Sequence, residues 1–288
     1  MTNHEYLKSL LNDEKIDHSI EETKSTRKEI KDFLISHYRA DKNPKYVYSG
    51  SIAKNTAIKS KYDIDIGLLF NNVDFNSLKD MFDDVKKVLK DKYGTANIRE
   101  QNVSIRVQLN SHDIDIVPCR RIENDKDDIY LHIERDDNNR IKSNIHNHVE
   151  VVKNMTELET VKLLKLWKIK KDIKFKSFTL ELLVKKAFED ESRIGLDNKL
   201  EYMMKYIRDN IDTVSLLDPS NSNNNVSNSI TSTQKNSIKK YAKRALTAIE
   251  NEKYSIIFDD SDGIYITENS ANEIEQTYAT VEKPWSCE

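Results

Sequence analysis

The sequence predicts a mixed α/β lobe followed by a helical lobe, and two observations carry this prediction. Up to about residue 143, short apolar runs typical of strands lie between segments in which apolar residues recur at helical spacing. From about residue 144 onward, helical spacing dominates. A change from mixed elements to helices favours two structural units, which we expect at residues 1–150 and 151–288.

The N-terminal part predicts two helices before the first strand. Apolar residues recur three and four positions apart over residues 2–13 and 14–39. Residues 45–49 then predict a first strand, and an apolar strand from residue 63 to residue 70 follows a short turn. The next segment, residues 75–93, has the apolar stripe of an amphipathic helix.

Two further strands are predicted to form an antiparallel hairpin. Apolar and polar side chains alternate over residues 103–109, and a turn at Asn110 and Ser111 leads to a strand at residues 112–118. Because a tight turn joins them, we expect the two strands to pair. Another short strand is predicted over residues 128–134.

The second half of the chain is predicted to be mostly helical. Four helices are indicated by their apolar spacing, at residues 161–167, 178–188, 200–211 and 238–249. Residues 220–233 are rich in Asn, Ser and Thr and predict a loop, and residues 254–258 predict a short strand.

The composition narrows the class of protein. The formal net charge of -3 gives no overall positive field for nucleic acid, although a local lysine patch stays open. The two cysteines, Cys119 and Cys287, do not make a disulfide framework and fit a reducing cytosol, so we expect a cytoplasmic location. No apolar run is long enough to span a membrane, and the N-terminus lacks the apolar core of a signal peptide.

The residues that predict chemistry lie around the first two strands. Gly50 and Ser51 form a small turn, and Asp63 and Asp65 follow on an apolar strand. Because strand side chains alternate between faces, the two carboxylates point the same way, and they repel each other unless a cation lies between them. Mg²⁺ prefers such oxygen ligands, while the hydroxyl and N–H groups of a glycine turn suit a phosphate. The pattern therefore indicates nucleotidyl transfer.

A third carboxylate is expected from the hairpin. Asp113 and Asp115 lie two positions apart on its second strand, so both point to one face. Pairing of this strand beside the strand of Asp63 and Asp65 would bring one of them into the group. The alternation itself leaves both residues as candidates.

These motifs resemble the DNA polymerase beta-like nucleotidyltransferases. The nearest branch contains the 2′–5′-oligoadenylate synthases, cyclic GMP–AMP synthase and the bacterial cyclic-oligonucleotide synthases of anti-phage defence. Four motifs in the family's order carry the likeness, namely Gly50-Ser51, Lys54-Asn55-Thr56, Asp63-Ile64-Asp65 and Asp115-Ile116-Val117-Pro118. Asn55 stands where the oligoadenylate synthases usually have Gly. The resemblance favours Asp115 over Asp113. Lys54 and Thr56 are interpreted as loop structure, with neutralisation of a phosphate as the alternative for Lys54.

Two segments of the helical half extend the resemblance. Residues 162–167 are similar to the family's lobe-spanning helix, and residues 176–178 are similar to its Lys-Ser-aromatic turn. The resemblance implies that Lys165 and Ser177 contact a triphosphate and that Phe178 stacks on a base. Plainer interpretations stay open, because these residues also suit a solvated helix face, an N-cap and a core position respectively. Asp218-Pro219 resembles a motif that lines or braces the family's interlobe groove.

The resemblance implies a polymerase beta-like α/β (α+β) core with a mixed sheet and a helical C-terminal lobe. The implied reaction joins nucleoside triphosphates, ATP and also GTP or pyrimidine triphosphates, into a cyclic or linear oligonucleotide second messenger and releases pyrophosphate. Asp63, Asp65 and Asp115 would hold two Mg²⁺ or Mn²⁺ ions, and Gly50 and Ser51 would bind the nucleotide. A role in anti-phage (CBASS) defence, with a downstream effector reached through the product, rests on the resemblance alone.

Other classes of function share part of the pattern. Transferases that add a nucleotide to a protein, an RNA or an antibiotic share the Gly-Ser and Asp-x-Asp motifs, but are not expected to share the Lys-Leu-Trp and Lys-Ser-Phe segments. A nucleic-acid-binding module on a catalytically dead fold is disfavoured by the three carboxylates. No His/Cys cluster predicts zinc.

Lysines in the N-terminal half suggest a surface that could bind an activating polyanion such as RNA. Two of them, Lys42 and Lys45, lie around the start of the first strand. Four more lie on the helix predicted at residues 75–93, namely Lys86, Lys87, Lys90 and Lys92. The acidic net charge means that any such site is local, and the alternative is a solvated helix face.

Overall fold

The computed structural model describes residues 1–16, 21–110, 112–123, 127–133 and 140–259. The predicted turn residue Ser111, residue 134 of a predicted strand, Cys287 and the polar tail lie outside these ranges.

Helices and strands alternate in the first half of the chain. They are, in order, α1 (Asn3–Asp13), α2 (Glu21–Tyr38), β1 (Lys45–Ser49), α3 (Gly50–Ala53), β2 (Ile64–Phe70), α4 (Leu78–Tyr93), β3 (Ile98–Glu100), β4 (Ile105–Leu109), β5 (His112–Arg121), β6 (Ile129–His132) and β7 (Arg140–Ser143). The second half is mainly helical and contains α5 (Ile145–Lys153), α6 (Leu158–Lys170), α7 (Ser177–Ala187), α8 (Leu196–Asn210), β8 (Leu217–Asp218), β9 (Asn221–Asn225), α9 (Ser232–Glu250) and α10 (Tyr254–Ile257).

The main sheet is mixed, as predicted. Within the described ranges it has seven strands, and β1, β2, β5, β4 and β3 are neighbours in that order. Among the strands that the structure describes, only β2 and β5 pair in parallel, because β3 and β4 lie between them in the sequence and return the chain to the same direction. The predicted antiparallel hairpin is confirmed as β4 and β5.

One core lies between this sheet and the helices α2 and α4. Side chains of β2 and β5 alternate, and their aliphatic residues are buried against α2 and α4. The residues of this core include Ile30, Leu34, Ile64, Ile66, Leu68, Val85, Leu89, Ile114 and Ile116. Burying that face of the two central strands leaves the opposite face for polar side chains.

A second core belongs to the helical lobe. Trp167 of α6 is 1% exposed and packs among apolar side chains of α7, α8 and α9. Leu7 of α1 also lies in this core, so the N-terminal helix packs against the helical lobe. The boundary at residue 150 stays a prediction. No helix within the described ranges has the length and apolar character needed to cross a membrane.

Two local predictions are wrong. The predicted strand at residues 254–258 is instead the helix α10 with Phe258 as its C-cap, because Tyr254, Ile257 and Phe258 are spaced three and four apart and bury together. The predicted loop at residues 220–233 contains β9, which pairs with β8, and the start of α9. Its Asn side chains allow this, since Asn225 Oδ1 accepts hydrogen bonds from the backbone N–H groups of Leu216 and Ser227.

Candidate active site

The parallel pairing of β2 and β5 brings the predicted carboxylates together. Asp65 lies directly opposite Asp115 in the register, and Asp63 comes one residue before β2 begins. Ile64 and Ile114, also opposite each other, are buried in the core on the other face. The order of strands therefore makes one acidic face from residues 50 positions apart.

Arg106 of β4 lies among these carboxylates. It pairs with Asp115 in the β4–β5 register, and its Nε and Nη2 atoms each donate to that carboxylate at 2.8 Å. Nη2 also donates to Asp63 at 2.9 Å, and Nη1 donates to Asp113 at 2.9 Å. We call Asp63, Asp65, Asp113, Asp115 and Arg106 the acidic cluster. Sequence reasoning missed Arg106, because the face that it shares with the aspartates follows from the β4–β5 register and not from the alternation of its own strand.

The acidic cluster is short of positive charge. Burial, followed by repulsion from Asp115 and Asp63, raises the pKa of Asp65 to about 7. Burial also raises the pKa of Asp63, although Arg106 opposes the shift. Hydrogen bonds to Asp115 raise the pKa of Arg106 further above its ordinary range, so the guanidinium stays charged. Within the cluster, one guanidinium thus contacts three of the four carboxyl groups, and Lys54 lies near enough to Asp65 to oppose the rise of its pKa.

The donor set of this cluster fits a hard divalent cation. Within the described ranges, no three or more His, Cys, Asp and Glu side chains converge closely enough to form a metal site. The four carboxylates nevertheless share one face, and burial and mutual repulsion disfavour the ionised form of Asp65. A bound cation would relieve that repulsion, and oxygen ligands of this kind suit Mg²⁺ and Mn²⁺.

Gly50 fits closely against Asp65. Its φ is +68°, which is the left-handed region, and a Cβ atom at this position would overlap the Asp65 carboxylate. Any other residue at position 50 would therefore displace a carboxylate of the acidic cluster. The glycine has a second role here, beyond the phosphate approach that its sequence context predicts.

A second cluster of charges lies where the two lobes meet. Glu181 of α7 accepts hydrogen bonds from Lys54 Nζ at 2.9 Å, from Lys165 Nζ at 2.6 Å and from Thr56 Oγ1 at 2.8 Å. Lys165 Nζ also donates to Thr56 Oγ1 at 2.7 Å. We call Lys54, Thr56, Lys165 and Glu181 the junction cluster. Lys165 is 5% exposed, so the solvated-face interpretation of this residue is wrong.

The junction cluster depends on a local turn. Asn55 has a φ of +58°, a conformation that favours Gly and that Asn tolerates better than most residues. This explains why Asn can replace the family's Gly between Lys54 and Thr56, both of which contact Glu181. Burial opposes ionisation of Glu181, but Lys54 and Lys165 outweigh it and hold the pKa of that carboxyl below its ordinary value.

Lys168 lies one helical turn beyond Lys165 and was not predicted. Its Nζ donates to the Phe175 carbonyl at 2.7 Å and to Ser177 Oγ at 3.1 Å. Burial, followed by repulsion from Lys165 and Lys61, lowers its pKa to about 8. The signal available in the sequence was the spacing of three from Lys165, which places both lysines on one side of α6.

Ser177 and Phe178 begin α7. Lys176 is the N-cap of this helix, so the N-cap interpretation of Ser177 is wrong, and its hydroxyl instead contacts Lys168. Phe178 is half-buried, and the Lys54 ammonium lies 4.4 Å from its ring centroid.

One cleft of about 330 Å³ joins these groups. It is lined by seven of the predicted site residues, Gly50, Ser51, Asp63, Asp65, Lys165, Ser177 and Phe178. Asp115 lies beside Asp65 on the next strand, and Lys54, Lys61, Lys168 and Glu181 also line the cleft. A larger hollow of about 480 Å³ near Arg193 and Tyr202 contains none of the predicted site residues.

Comparison with known proteins identifies the fold. The solved structure of CdnC from Escherichia coli MS115-1 with ATP is 20% identical, and the match covers 90% of this chain and 98% of that chain with a TM-score of 0.72. CdnG of Bradyrhizobium diazoefficiens with GTP is 11% identical, with coverage of 88% and 92% and a TM-score of 0.71. DncV of Vibrio cholerae, a cyclic AMP–GMP synthase, is 13% identical, with coverage of 90% and 81% and a TM-score of 0.64. These likenesses confirm the polymerase beta-like fold.

The family is identified by its sequence model. Residues 1–155 match the Second Messenger Oligonucleotide or Dinucleotide Synthetase domain, which is more than half of the chain. No curated protein matches the sequence. The chain therefore belongs to the Second Messenger Oligonucleotide or Dinucleotide Synthetase family and is a nucleotidyltransferase of the cyclic-oligonucleotide synthase kind.

Proposed function

We propose that this protein joins nucleoside triphosphates into a cyclic or linear oligonucleotide second messenger in a Mg²⁺-dependent reaction that releases pyrophosphate. The observation that carries the proposal is the single cleft, which has carboxylates at one side and lysines at the other. A nucleoside triphosphate bound to divalent cations presents complementary charges to both sides. Neither group of side chains alone would select such a substrate.

The acidic cluster supplies the reacting end of the site. Asp63, Asp65 and Asp115 are the proposed ligands of two Mg²⁺ or Mn²⁺ ions. When bound, such ions lower the pKa of an attacking hydroxyl and stabilise the charge of a leaving pyrophosphate. Gly50 keeps the Asp65 carboxylate in place by leaving it room, and Arg106 orients Asp115 through two hydrogen bonds.

The other side of the cleft aligns the triphosphate. Ser51, Lys165 and Ser177 are the proposed contacts of the β- and γ-phosphates, and Phe178 is the proposed base-stacking residue. Lys165 is already hydrogen-bonded to Glu181, whereas Lys168 contacts only a carbonyl and a hydroxyl in the described ranges. We therefore assign Lys168 a share of the phosphate contact. Fixing the triphosphate in line with the attacking ribose hydroxyl lowers the entropic part of the barrier.

The proposal also includes the substrates, the biological role and the activator of the protein. The related structures contain ATP in CdnC and GTP in CdnG, and we propose ATP, GTP or pyrimidine triphosphates as substrates here. A role in anti-phage (CBASS) defence in the cytoplasm, with an effector reached through the product, is supported by the family alone. An RNA activator on α4 is the part with least support, because Lys86 is paired with Asp83 and Glu100.

Product analysis tests this proposal. The purified protein is incubated with the four labelled triphosphates and Mg²⁺ or Mn²⁺. The products are separated by chromatography, and their masses are measured by mass spectrometry. We expect pyrophosphate and a phosphodiester-linked oligonucleotide, and mass separates the cyclic from the linear form. Label transferred to a protein or an antibiotic would instead identify a modifying transferase. Binding of nucleic acid without any turnover would identify a catalytically inactive nucleic-acid-binding module.

A further inference from the structure

The ring of Phe178 has a neighbour that no motif of the sequence predicts. The imidazole of His148, from α5, packs on it with ring centroids 4.6 Å apart and an interplanar angle of 43°. Phe178 occupies the second position of α7 and lines the cleft, so its ring is attached to the end of a helix and is only half-buried. A ring in that place needs lateral support to keep one orientation.

His148 is itself held by a buried carboxylate. Its Nε2 is hydrogen-bonded to Asp218 Oδ1 at 2.6 Å, and the Asp218 side chain is 7% exposed. Asp218 also accepts from the Ser220 backbone N–H at 2.8 Å and from Asn224 Nδ2 at 3.2 Å. Burial opposes ionisation, but these hydrogen bonds, led by that from His148, hold the pKa of Asp218 below its ordinary value. The carboxylate is therefore fixed and charged, and it sets the orientation of the imidazole.

The hairpin of β8 and β9 supplies this carboxylate and is tied to α5. Asn147 Nδ2 donates to the Pro219 carbonyl at 2.8 Å, and Ser220 Oγ donates to the Asn144 carbonyl at 3.2 Å. Three side-chain contacts thus join the hairpin to the first turn of α5, on which His148 lies. This gives a physical role to the Asp218-Pro219 segment, for which the proposed reaction has no direct use.

We propose that His148 is a positioning residue for the nucleobase, and that Asp218 holds its imidazole against Phe178 so that the Phe178 ring is oriented before a base stacks on it. The inference rests on the proposed function. An oriented ring loses less freedom when a base binds, so affinity improves without any contact between His148 and the nucleotide. Because every base has a π-face, the effect should be similar for all four triphosphates.

Calorimetric binding of ATP, UTP and tripolyphosphate tests the inference, since tripolyphosphate has no base. His148→Ala should weaken ATP and UTP binding about threefold to tenfold, which is the scale of one aromatic contact. Tripolyphosphate affinity should not change, and in turnover assays KM should rise while kcat changes little. His148→Phe retains a ring and should recover part of the lost affinity, whereas Asp218→Asn should resemble His148→Ala in a weaker form.

The matched control is His146→Ala. His146 lies two residues away on α5 and is exposed, so its removal should leave all three affinities unchanged. Thermal unfolding of each variant identifies any that fail to fold, and His148→Phe is the variant expected to preserve packing best. Equal weakening of ATP and tripolyphosphate, or no weakening in folded His148→Ala, would overturn the positioning role. Wild-type protein that binds tripolyphosphate as tightly as ATP would instead overturn the base-stacking part of the proposed function.

Discussion

The acidic cluster and the junction cluster have opposite charge patterns and different burial. In the acidic cluster one guanidinium, that of Arg106, contacts three carboxylates. In the junction cluster one carboxylate, that of Glu181, contacts two ammonium groups. The side chains of Asp63 and Asp113 are 35% and 34% exposed, whereas that of Glu181 is 2% exposed.

This difference indicates different roles for the two clusters. The acidic cluster is suited to bind cations, and the junction cluster is suited to connect the two lobes. The acidic cluster is partly exposed at Asp63 and Asp113 and has more carboxyl groups than cations, so it can gain cations from solution. In the junction cluster, the sheet lobe provides Lys54 and Thr56 and the helical lobe provides Lys165 and Glu181, and every Glu181 oxygen is hydrogen-bonded. Its burial makes it a connection between the lobes, and Lys168 beside it adds a second ammonium group to that of Lys165 for the proposed phosphate contact.

The strongest test of the acidic cluster removes Asp63 and Asp65 together. Asp63→Ala with Asp65→Ala should reduce synthesis to less than about one-thousandth, since metal stabilisation is worth several kcal/mol and each ~1.4 kcal/mol is tenfold. The unfolding temperature in EDTA should stay equal or rise, because a repulsion has been removed. Pyrophosphate release and thermal unfolding measure the two effects, with Asp91→Ala on α4 as an exposed control. Wild-type synthesis by the double variant would refute the metal assignment.

Comparing Asp115→Asn with Asp113→Asn sharpens the assignment within the cluster. Asp115 is opposite Asp65 and accepts two hydrogen bonds from Arg106, whereas Asp113 accepts one. We expect a loss of turnover of about a hundredfold or more, ~2.7 kcal/mol, for Asp115→Asn and less than about tenfold for Asp113→Asn. Steady-state kinetics at saturating metal provide the measurement. The opposite ranking would make Asp113 the third ligand.

The junction cluster is tested through stability. Glu181→Gln leaves Lys54 and Lys165 buried without a carboxylate, and breaking a buried pair in this way costs about 3–5 kcal/mol. The control is Glu159→Gln, which breaks a pair with Lys8 in which the carboxylate side chain is 50% exposed and should cost no more than about 1 kcal/mol. Denaturant unfolding gives both free energies. Similar values for the two variants would show that the buried Glu181 carboxylate contributes no more to stability than the carboxylate of an exposed ion pair.

The sequence predicted the acidic cluster better than the junction cluster, because the two clusters differ in how much of their pattern is visible within short segments of the sequence. Asp63, Asp65 and Asp115 lie at strands whose alternation is visible locally, and the parallel pairing of β2 and β5 brings the third carboxylate near the other two. Lys54 and Glu181 are 127 residues apart, and nothing in the spacing of either residue points to the other. Such a pairing depends on how two lobes pack, which local periodicity does not encode.

Side chains with two plausible environments were the other limit on what the sequence could decide. Lys165 occurs in a Lys-rich helix and could face solvent, but α6 is surrounded by the helical lobe and buries most of its circumference. The short run at residues 254–258 suits a strand or a helix, and packing against α9 decides for the helix. Arg106 alternates correctly on its strand, yet its three partners become visible only with the β4–β5 register.

The pH dependence of anion binding tests whether Lys168, beside the junction cluster, contacts the bound anion. Its pKa of about 8 lies below that of an ordinary lysine, so the ammonium loses its charge as pH rises through about 8. A bound anion favours the charged form, so tripolyphosphate affinity should fall with rising pH, by about tenfold if one charged contact of ~1.4 kcal/mol is lost. Calorimetry between pH 7 and pH 9 measures this. Lys168→Arg should stay flat, and an equal fall in wild type and Lys168→Arg would assign the effect elsewhere.

The smallest effect expected is activation by RNA through lysines outside both clusters. Lys86 donates to Asp83 and Glu100, so a polyanion would have to rely mainly on Lys87 and Lys90 of the same helix. If this surface binds RNA, structured RNA should raise turnover a few-fold, and log affinity should fall by about 0.7–0.9 per log unit of salt for each phosphate contacted.

Charge reversal tests that surface directly. Reversal of Lys86, Lys87 and Lys90 to Glu should remove the stimulation and spare basal turnover, because α4 contributes no residue to the cleft. Lys87→Glu with Lys90→Glu is the cleaner pair, since Lys86→Glu also repels Asp83 and Glu100 within the folded protein. Lys185→Glu with Lys240→Glu, on exposed positions of the helical lobe, controls for net charge. Full turnover by purified wild-type protein without RNA would leave α4 as a solvated face, with its charge already balanced by its own acidic neighbours.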